Sequence, residues 1–367
     1  MPRSRMRTPA VLAALALIAL ATLTPGSGQG GWGLGFPDPA DLLVNVGLYV
    51  PLGWAIRRRA PQAPGRTEGA PLRTRTRRPR GAPQAPGRTE GAPLRVALVA
   101  AFMLSAAIEL AQLTIIPGRD SSPWDLAANV SGAALGASLP VHLLVLPLIP
   151  AWLASAWLLA PVPAPTPVWW GQWAHQFGSP APFSGAIQEA TLNEVPAPDE
   201  SLGPSATERM RAGYHQPPIR YWVHLSPPAT PSPARVQVAG VADGVGGEVV
   251  GLWQSGWDLE IRWYARGTRL GLRSPSLRMP GLLFLDPRRE ASVDARLYSR
   301  DVTLVVSDGL HDVRRQVVLG PWQGWRLFWP LEPPEQGLAM VMSLLWSAAC
   351  LGIPLVAIIA RVRRGRG

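Results

Sequence analysis

The sequence contains no lysine: all 35 of its basic residues are arginine. That skew reads as the codon bias of GC-rich coding DNA and carries no structural message of its own. The chain has one cysteine, Cys350, so no intramolecular disulfide can staple it. Charged residues make up 16% of the sequence, against about 25% in an average soluble domain. The five histidines, at 142, 175, 215, 224 and 311, show no metal-ligand spacing. The stretch "GVADGVGG" lacks the lysine and following helix of a phosphate loop, and reads as a hairpin. No serine sits in a nucleophile elbow. Neither a metal nor a cofactor is therefore expected, and no catalytic residue is established.

What is present is apolar and loop-rich. Of 367 residues, 47% are hydrophobic, with 41 Pro and 37 Gly; the length suits two units. The net charge of +11 raises the question of nucleic-acid binding, but its distribution answers it. Three short blocks, at 3–7, 57–95 and 361–366, hold 18 of the 35 arginines against two acids, Glu68 and Glu90, and the remainder is net negative. Basic blocks beside apolar runs mark the cytoplasmic flanks of membrane spans, so no nucleic-acid partner is expected.

Six apolar segments follow: 8–24, 41–56, 96–116, 124–138, 142–162 and 337–360. The first reads as a retained helix, with a signal-peptide core as the alternative. The second is short: 16 residues reach about 24 Å at 1.5 Å per residue, against a hydrocarbon core of about 30 Å. With the N-terminus inside, six spans place all three arginine blocks in the cytoplasm. The expected division is residues 1–56 (helices 1–2), 57–95 (a basic loop), 96–165 (helices 3–5), 166–330 (an extracytoplasmic domain) and 331–367 (a last helix and basic tail). Within the loop, "APQAPGRTEGAPLR" occurs identically at 60–73 and 82–95. Two Pro- and Gly-rich copies cannot build a solenoid; a disordered arginine-rich segment attracted to anionic lipid is expected.

Residues 166–330 change pattern. "RYWVHL", "ARVQVAGV", "WDLEIRWY", "VDARLY" and "VTLVVSD" alternate with a period of two between Gly, Pro and Asp signals. In "WDLEIRWY", Trp257, Leu259, Ile261 and Trp263 point one way and Asp258, Glu260, Arg262 and Tyr264 the other. An all-β, sandwich-like domain is expected. Trp169, Trp170 and Trp173 at its start and Trp322, Trp325 and Trp329 at its end are placed to moor it in the headgroup zone. Asp243, Glu248, Asp308 and Asp312 lie near turns and read chiefly as solvated turn residues, with sugar or calcium contact as the alternative.

The apolar segments carry polar stripes. Ser105, Glu109 and Gln112 fall at i, i+4 and i+7 of one helix, and Asp125, Asn129, Gly132 and Gly136 on one face of the next. Asp41 and Asn45 are spaced i, i+4. Arg119 and Asp120 sit between the two stripes. Charge near a bilayer centre costs about 2.5–3.5 kcal/mol on insertion scales, so these groups are expected to face one another. Gly132 and Gly136 would permit close helix approach, and Asp41 and Asp125 are placed to cap helix starts. The stripes read equally as interhelical glue or as an outward-open polar pocket.

At these residues the sequence resembles the VanZ-like family of bacterial membrane proteins. The residues that carry the likeness are Asp41, Asn45, Pro51 and Gly53 in "DLLVNVGLYVPLGW", then Glu109, Gln112, Arg119, Asp125, Asn129, Gly132 and Gly136. It covers roughly residues 8–140. The arginine-rich repeat and the β-rich insertion depart from the minimal family pattern. Residues 166–330 resemble, more distantly, concanavalin A-like or laminin-G-like sandwiches, through "APFSGAIQEATLNEVPAP". The resemblance implies a cell-envelope role, linked by the family's name to glycopeptide resistance, and a cell-wall or lipid-linked glycan as partner beside the lipid bilayer. Two further readings are a membrane enzyme or a transporter, in which Glu109 or Asp125 transfers a proton.

Overall fold

Apolar runs rich in Ala and Leu, punctuated by Pro and Gly, fold here into helices; the alternating runs fold into strands. A computed structural model describes residues 7–22, 31–32, 39–59, 92–116, 120–174, 182–279, 288–328 and 336–365. Residues 60–91, Arg119, His175 and Trp329 lie outside these residues; the loop expected at 57–95 is shorter, since 57–59 end one helix and Ala92–Arg95, the last four residues of the second repeat copy, begin the next. The chain divides into two units, residues 1–144 and 145–367.

The first unit consists of helices α1 (Arg7–Thr22), α2 (Pro39–Arg59), α3 (Ala92–Thr114) and α4 (Pro123–Ser138). Two short strands, β1 (Gly31–Trp32) and β2 (Asp120–Ser121), pair in parallel. A core of Ala14, Ile18, Tyr49, Leu52, Ala101, Ile108 and Ala133 joins all four helices. A short helix α5 (Val141–Val145) runs up to the boundary.

Among the described residues, three helices are long and apolar enough to cross a membrane: Pro39–Arg57, Leu94–Thr114 and Gly337–Ile359, of 19, 21 and 23 residues. The other three expected spans are shorter. α1 and α4 have 16 residues each. The segment expected at 142–162 breaks into α5 and the 11-residue α6 (Leu148–Leu158). Pro147 stands at its break, where a missing N–H and a fixed φ interrupt the ladder.

In the second unit, α6 is followed by twelve strands in two antiparallel sheets. They are β3 (Trp169–Trp173), β4 (Ala186–Leu192), β5 (Val195–Pro196), β6 (Ser201–Leu202), β7 (Ile219–Ser226), β8 (Arg235–Asp243), β9 (Glu248–Ser255), β10 (Asp258–Trp263), β11 (Ser276–Met279), β12 (Ala291–Leu297), β13 (Asp301–Ser307) and β14 (Asp312–Val318). One sheet has the order β11-β10-β9-β8-β3-β6, the other β14-β13-β12-β7-β4-β5. Helix α7 (Pro204–Ala212) lies between β6 and β7 in the chain. The period-two pattern decides the core: Ile219, Tyr221, Val223 and Leu225 of β7 are buried while the residues between them are not. In β10, Leu259, Ile261 and Trp263 are buried as the alternation requires; Trp257 lies before the strand, in the turn, and is 48% exposed. "AIQEATLNEVP" forms the β4–β5 hairpin, with Asn193 and Glu194 at positive φ in its turn.

The end of α6 is built into the sandwich. The carbonyls of Leu158, Leu159 and Ala160 accept from Gly267 N, Trp263 Nε1 and Arg266 N at 2.8, 3.0 and 3.1 Å. The last carbonyls of a helix have no partner within it, and here Trp263 of β10 and the turn after it supply the donors. At the other end of the domain, Trp325 in a 3₁₀ segment (Pro321–Leu327) donates to Ser343 Oγ at 3.0 Å, and Trp346 donates to the Pro321 carbonyl at 3.0 Å. Ser343 and Trp346 belong to α8 (Gln336–Ser347), which continues through a π-helical turn (Ala348–Gly352) into α9 (Ile353–Gly365). Pro354 follows that turn and cannot donate to the preceding carbonyls, which accounts for the widened winding. Two of the tryptophans expected to moor the domain are buried instead: Trp169 in the sandwich, edge-on to Tyr214, and Trp325 against α8; Trp170 and Trp322 are 47% and 41% exposed.

Candidate functional site

The polar stripes of the first unit meet around α4. Its start is set by local chemistry: Ser122 is in an extended conformation, its Oγ accepts from Trp124 N at 3.2 Å, and Pro123 takes the first helical position. The Ser122 N–H in turn donates to Glu109 Oε2 at 2.9 Å, so α3 caps α4. Asn45 Nδ2 of α2 donates to Asp125 Oδ1 at 2.6 Å in the first turn of α4. One turn further on, Asn129 Nδ2 donates to Ser105 Oγ of α3 at 2.9 Å. At the far end, Arg57 Nη1 of α2 donates to the Ser138 and Leu139 carbonyls at 3.0 and 3.1 Å. A carboxylate at one end and a guanidinium at the other match the helix dipole.

Close packing makes these bonds reachable. A Cβ added at Gly132 would lie 2.1 Å from the Val46 carbonyl oxygen, and one at Gly136 the same distance from that of Val50. On α2, a Cβ at Gly53 would lie 2.0 Å from the Ala133 carbonyl oxygen. Gly132 and Gly136 thus lie directly against the backbone of α2.

Of the expected polar set, Asn45, Glu109, Asp125 and Asn129 come together. Glu109 and Asp125 lie within electrostatic range of each other. Gln112 is directed elsewhere: its Nε2 donates to the Thr22 carbonyl of α1 at 2.9 Å. Asp41 lies half-buried in the first turn of α2. Asp120 contributes its backbone to β2, paired with Gly31. The sequence reading missed Tyr49, which extends the Asp41–Asn45 stripe by one more i+4 step. It is fully buried and borders Ser105 and Glu109. Its hydroxyl lies beside Ser105 outside hydrogen-bonding geometry, and Asn129 Oδ1 also lacks a partner. Among the described residues, these are the two buried side-chain atoms of this cluster without a partner.

In the sandwich, two of the four acidic candidates make turns. Asp243 Oδ1 accepts from Val245 N and Gly247 N at 3.1 and 2.6 Å, and Asp308 Oδ1 from Leu310 N and His311 N at 2.9 and 2.8 Å. Asp312 is exposed at the start of β14. Glu248 instead joins a closed ring on the outer face of the β8–β9–β10 sheet. It accepts from Trp253 Nε1 and lies 3.6 Å from Arg262, which lies 3.6 Å from Glu260. Glu260 is gripped at both oxygens by Arg235, at 3.1 Å each, and Arg235 lies across the Trp253 ring, 4.3 Å from its centre. No group of three or more His, Cys, Asp or Glu among the described residues could hold a metal ion.

No family model matches the chain, and no curated protein or solved structure is significantly similar to it.

Proposed function

We propose that the chain is a VanZ-like membrane protein of the cell envelope, an accessory protein that binds a lipid-linked or surface glycan and affects glycopeptide susceptibility. The observation that carries this reading is the meeting of Asn45 of α2 and Ser105 and Glu109 of α3 with Asp125, Asn129 and Ser122 at the start of α4. The helices anchor the chain, their polar centre engages a headgroup, and the concanavalin A-like sandwich adds contacts to the glycan outside the cell. Polar groups at membrane depth mark function by default, because lipid penalises them.

The test has two arms. Expression in a glycopeptide-susceptible bacterium is expected to change the inhibitory concentration of teicoplanin, and Asp125→Asn with Asn45→Ala to abolish the change at equal membrane yield. Reporter fusions are expected to place Arg66 in the cytoplasm and Trp222 outside. Unaltered susceptibility together with a cytoplasmic Trp222 removes the proposal.

The second reading, a membrane enzyme or transporter using Glu109 and Asp125 for proton transfer, is favoured by the proximity of these carboxylates at one helix end. In that case Glu109→Gln abolishes a pH-dependent activity while the fold survives.

A further inference from the structure

The second unit carries its own membrane-length helix, Gly337–Ile359, and two bonds fix how the sandwich stands on it. Trp325 Nε1 donates to Ser343 Oγ and Trp346 Nε1 to the Pro321 carbonyl, both at 3.0 Å. Ser343 and Trp346 lie about 9 and 14 Å along the axis from Gly337, at 1.5 Å per residue. The interfacial zone on each side of the hydrocarbon core is about 5–8 Å deep. In a bilayer, the 3₁₀ segment and the end of the sandwich that bears it are therefore held at headgroup level or below.

Register identifies that end. α6 bonds to Trp263, Arg266 and Gly267, where β10 finishes, and Gly324 of the 3₁₀ segment lies against Ser155 of α6, so both helices meet the same end. Trp263 pairs with Val250 and Asp258 with Ser255. The β8–β9 hairpin thus comes to the helix end, and the β9–β10 hairpin, with Trp257, to the opposite one, about 20 Å away along the strand. β14 runs on into the 3₁₀ segment, which places the β13–β14 hairpin, with Leu310, at the far end too.

At the helix end the chain holds out apolar side chains. The β8–β9 tip is fixed by the Asp243 carboxylate, which accepts from Val245 N and Gly247 N, and it presents Val245, 82% exposed. The turn after β10 presents Leu270, 60% exposed. Beside them Arg266 lies over Trp157 of α6, 5.0 Å from its ring centre, and Arg269 donates to the Pro163 carbonyl at 2.7 Å. Tyr264 lies within electrostatic range of both Arg269 and Asp243, which joins turn and hairpin in one patch. Apolar tips beside guanidiniums and an indole suit the boundary between lipid phosphates and acyl chains. Trp257 and Leu310 are also exposed, at 48% and 65%. Exposure does not separate the two ends; the helices do.

We infer that the β8–β9 tip at Val245 and the turn at Leu270 insert into the leaflet that α6 and α8 enter, with Arg266 and Arg269 at its phosphates, so that the sandwich docks on the lipid surface through side chains of its own. The inference rests on the membrane reading above and adds the face that lies against the bilayer. Full-length Val245→Cys, Leu270→Cys, Trp257→Cys, Leu310→Cys and, within the span, Leu345→Cys are each labelled with a bimane fluorophore in phosphatidylcholine–phosphatidylglycerol nanodiscs. Cys350 is 1% exposed, so wild type serves as the labelling blank. All five sites are exposed, and an unchanged unfolding temperature verifies each fold. Lipid carrying a nitroxide near its headgroup is expected to quench the labels at 245 and 270 at least about threefold more than those at 257 and 310, and aqueous iodide the reverse. Equal quenching at the two ends, or stronger lipid quenching at 257 and 310, overturns the docking while a lipid-quenched label at 345 leaves the membrane reading standing. A label at 345 that lipid does not quench removes the docking and the membrane reading together.

Discussion

Glu109 of α3 accepts the backbone N–H of Ser122 at 2.9 Å, so a side chain from one membrane-length helix caps the start of the next. Glutamine at position 109 keeps an acceptor and loses the charge; alanine loses both. Glu109→Gln is expected to cost about 0.3–1 kcal/mol, the charge–dipole part. Glu109→Ala adds about 1–3 kcal/mol for the N–H left unsatisfied. Thermal unfolding in micelles checks the order: equal losses for the two variants would contradict the cap.

The α2–α4 crossing predicts a contrast between a glycine of α4 and one of α2. Gly132→Val must push a Cβ against the Val46 carbonyl oxygen, 2.1 Å away, and nothing flexible can yield there. The expected loss is about 1–3 kcal/mol or more, as for an overpacked core. Gly47→Ala, where no atom lies within 4 Å, is expected to stabilise by about 0.5–1 kcal/mol through the helix backbone alone. The two unfolding temperatures should move in opposite directions.

These relations also show what the sequence disclosed. Spacing of i, i+4 placed Glu109, Asp125 and Asn129 on facing stripes, and period-two alternation placed Leu259, Ile261 and Trp263 in the sandwich core. Both are local properties of a helix or a strand. Gln112 shares the stripe of Glu109, yet its bond goes to Thr22 of α1, because a stripe covers an arc wide enough to meet two neighbours. Trp169 looks like an interfacial indole by position in the chain, but β3 turns it into the core. The outer ring on β8–β10 combines residues 27 positions apart at its extremes: the sheet register brings Arg235 to Glu260, and an irregularity in the β8–β9 pairing turns Glu248 to the side of Trp253. Register is not written in any one strand.

On the other sheet, Asp294 receives both Arg220 and Arg296, with Nε contacts at 3.0 and 3.1 Å. Burial alone would raise its carboxyl, but the hydrogen bonds and charges of the two guanidiniums outweigh that and hold it below the ordinary carboxylate range. A depressed folded-state value stabilises above the unfolded value of about 4 and is lost as pH falls through the folded one. Asp294→Asn should therefore unfold at a lower temperature than wild type at pH 7, and the gap should close below about pH 4. A gap that is constant from pH 7 to pH 3 would mean that the carboxylate charge contributes nothing.

Glu260 offers the sharpest test of the ring, because its side chain is 3% exposed and both oxygens are held by Arg235. Removing one partner of a buried pair leaves the other charge uncompensated, at a cost of about 3–5 kcal/mol. Glu260→Leu alone is expected to fall in that range. Arg235→Leu added to it removes the stranded guanidinium, and an apolar pair of similar volume is commonly neutral or better. The double variant should thus recover most of the unfolding temperature that the single variant loses. Additive losses would mean instead that Arg235 stabilises mainly by covering Trp253, 4.3 Å below its guanidinium, a contribution that no change at position 260 can restore.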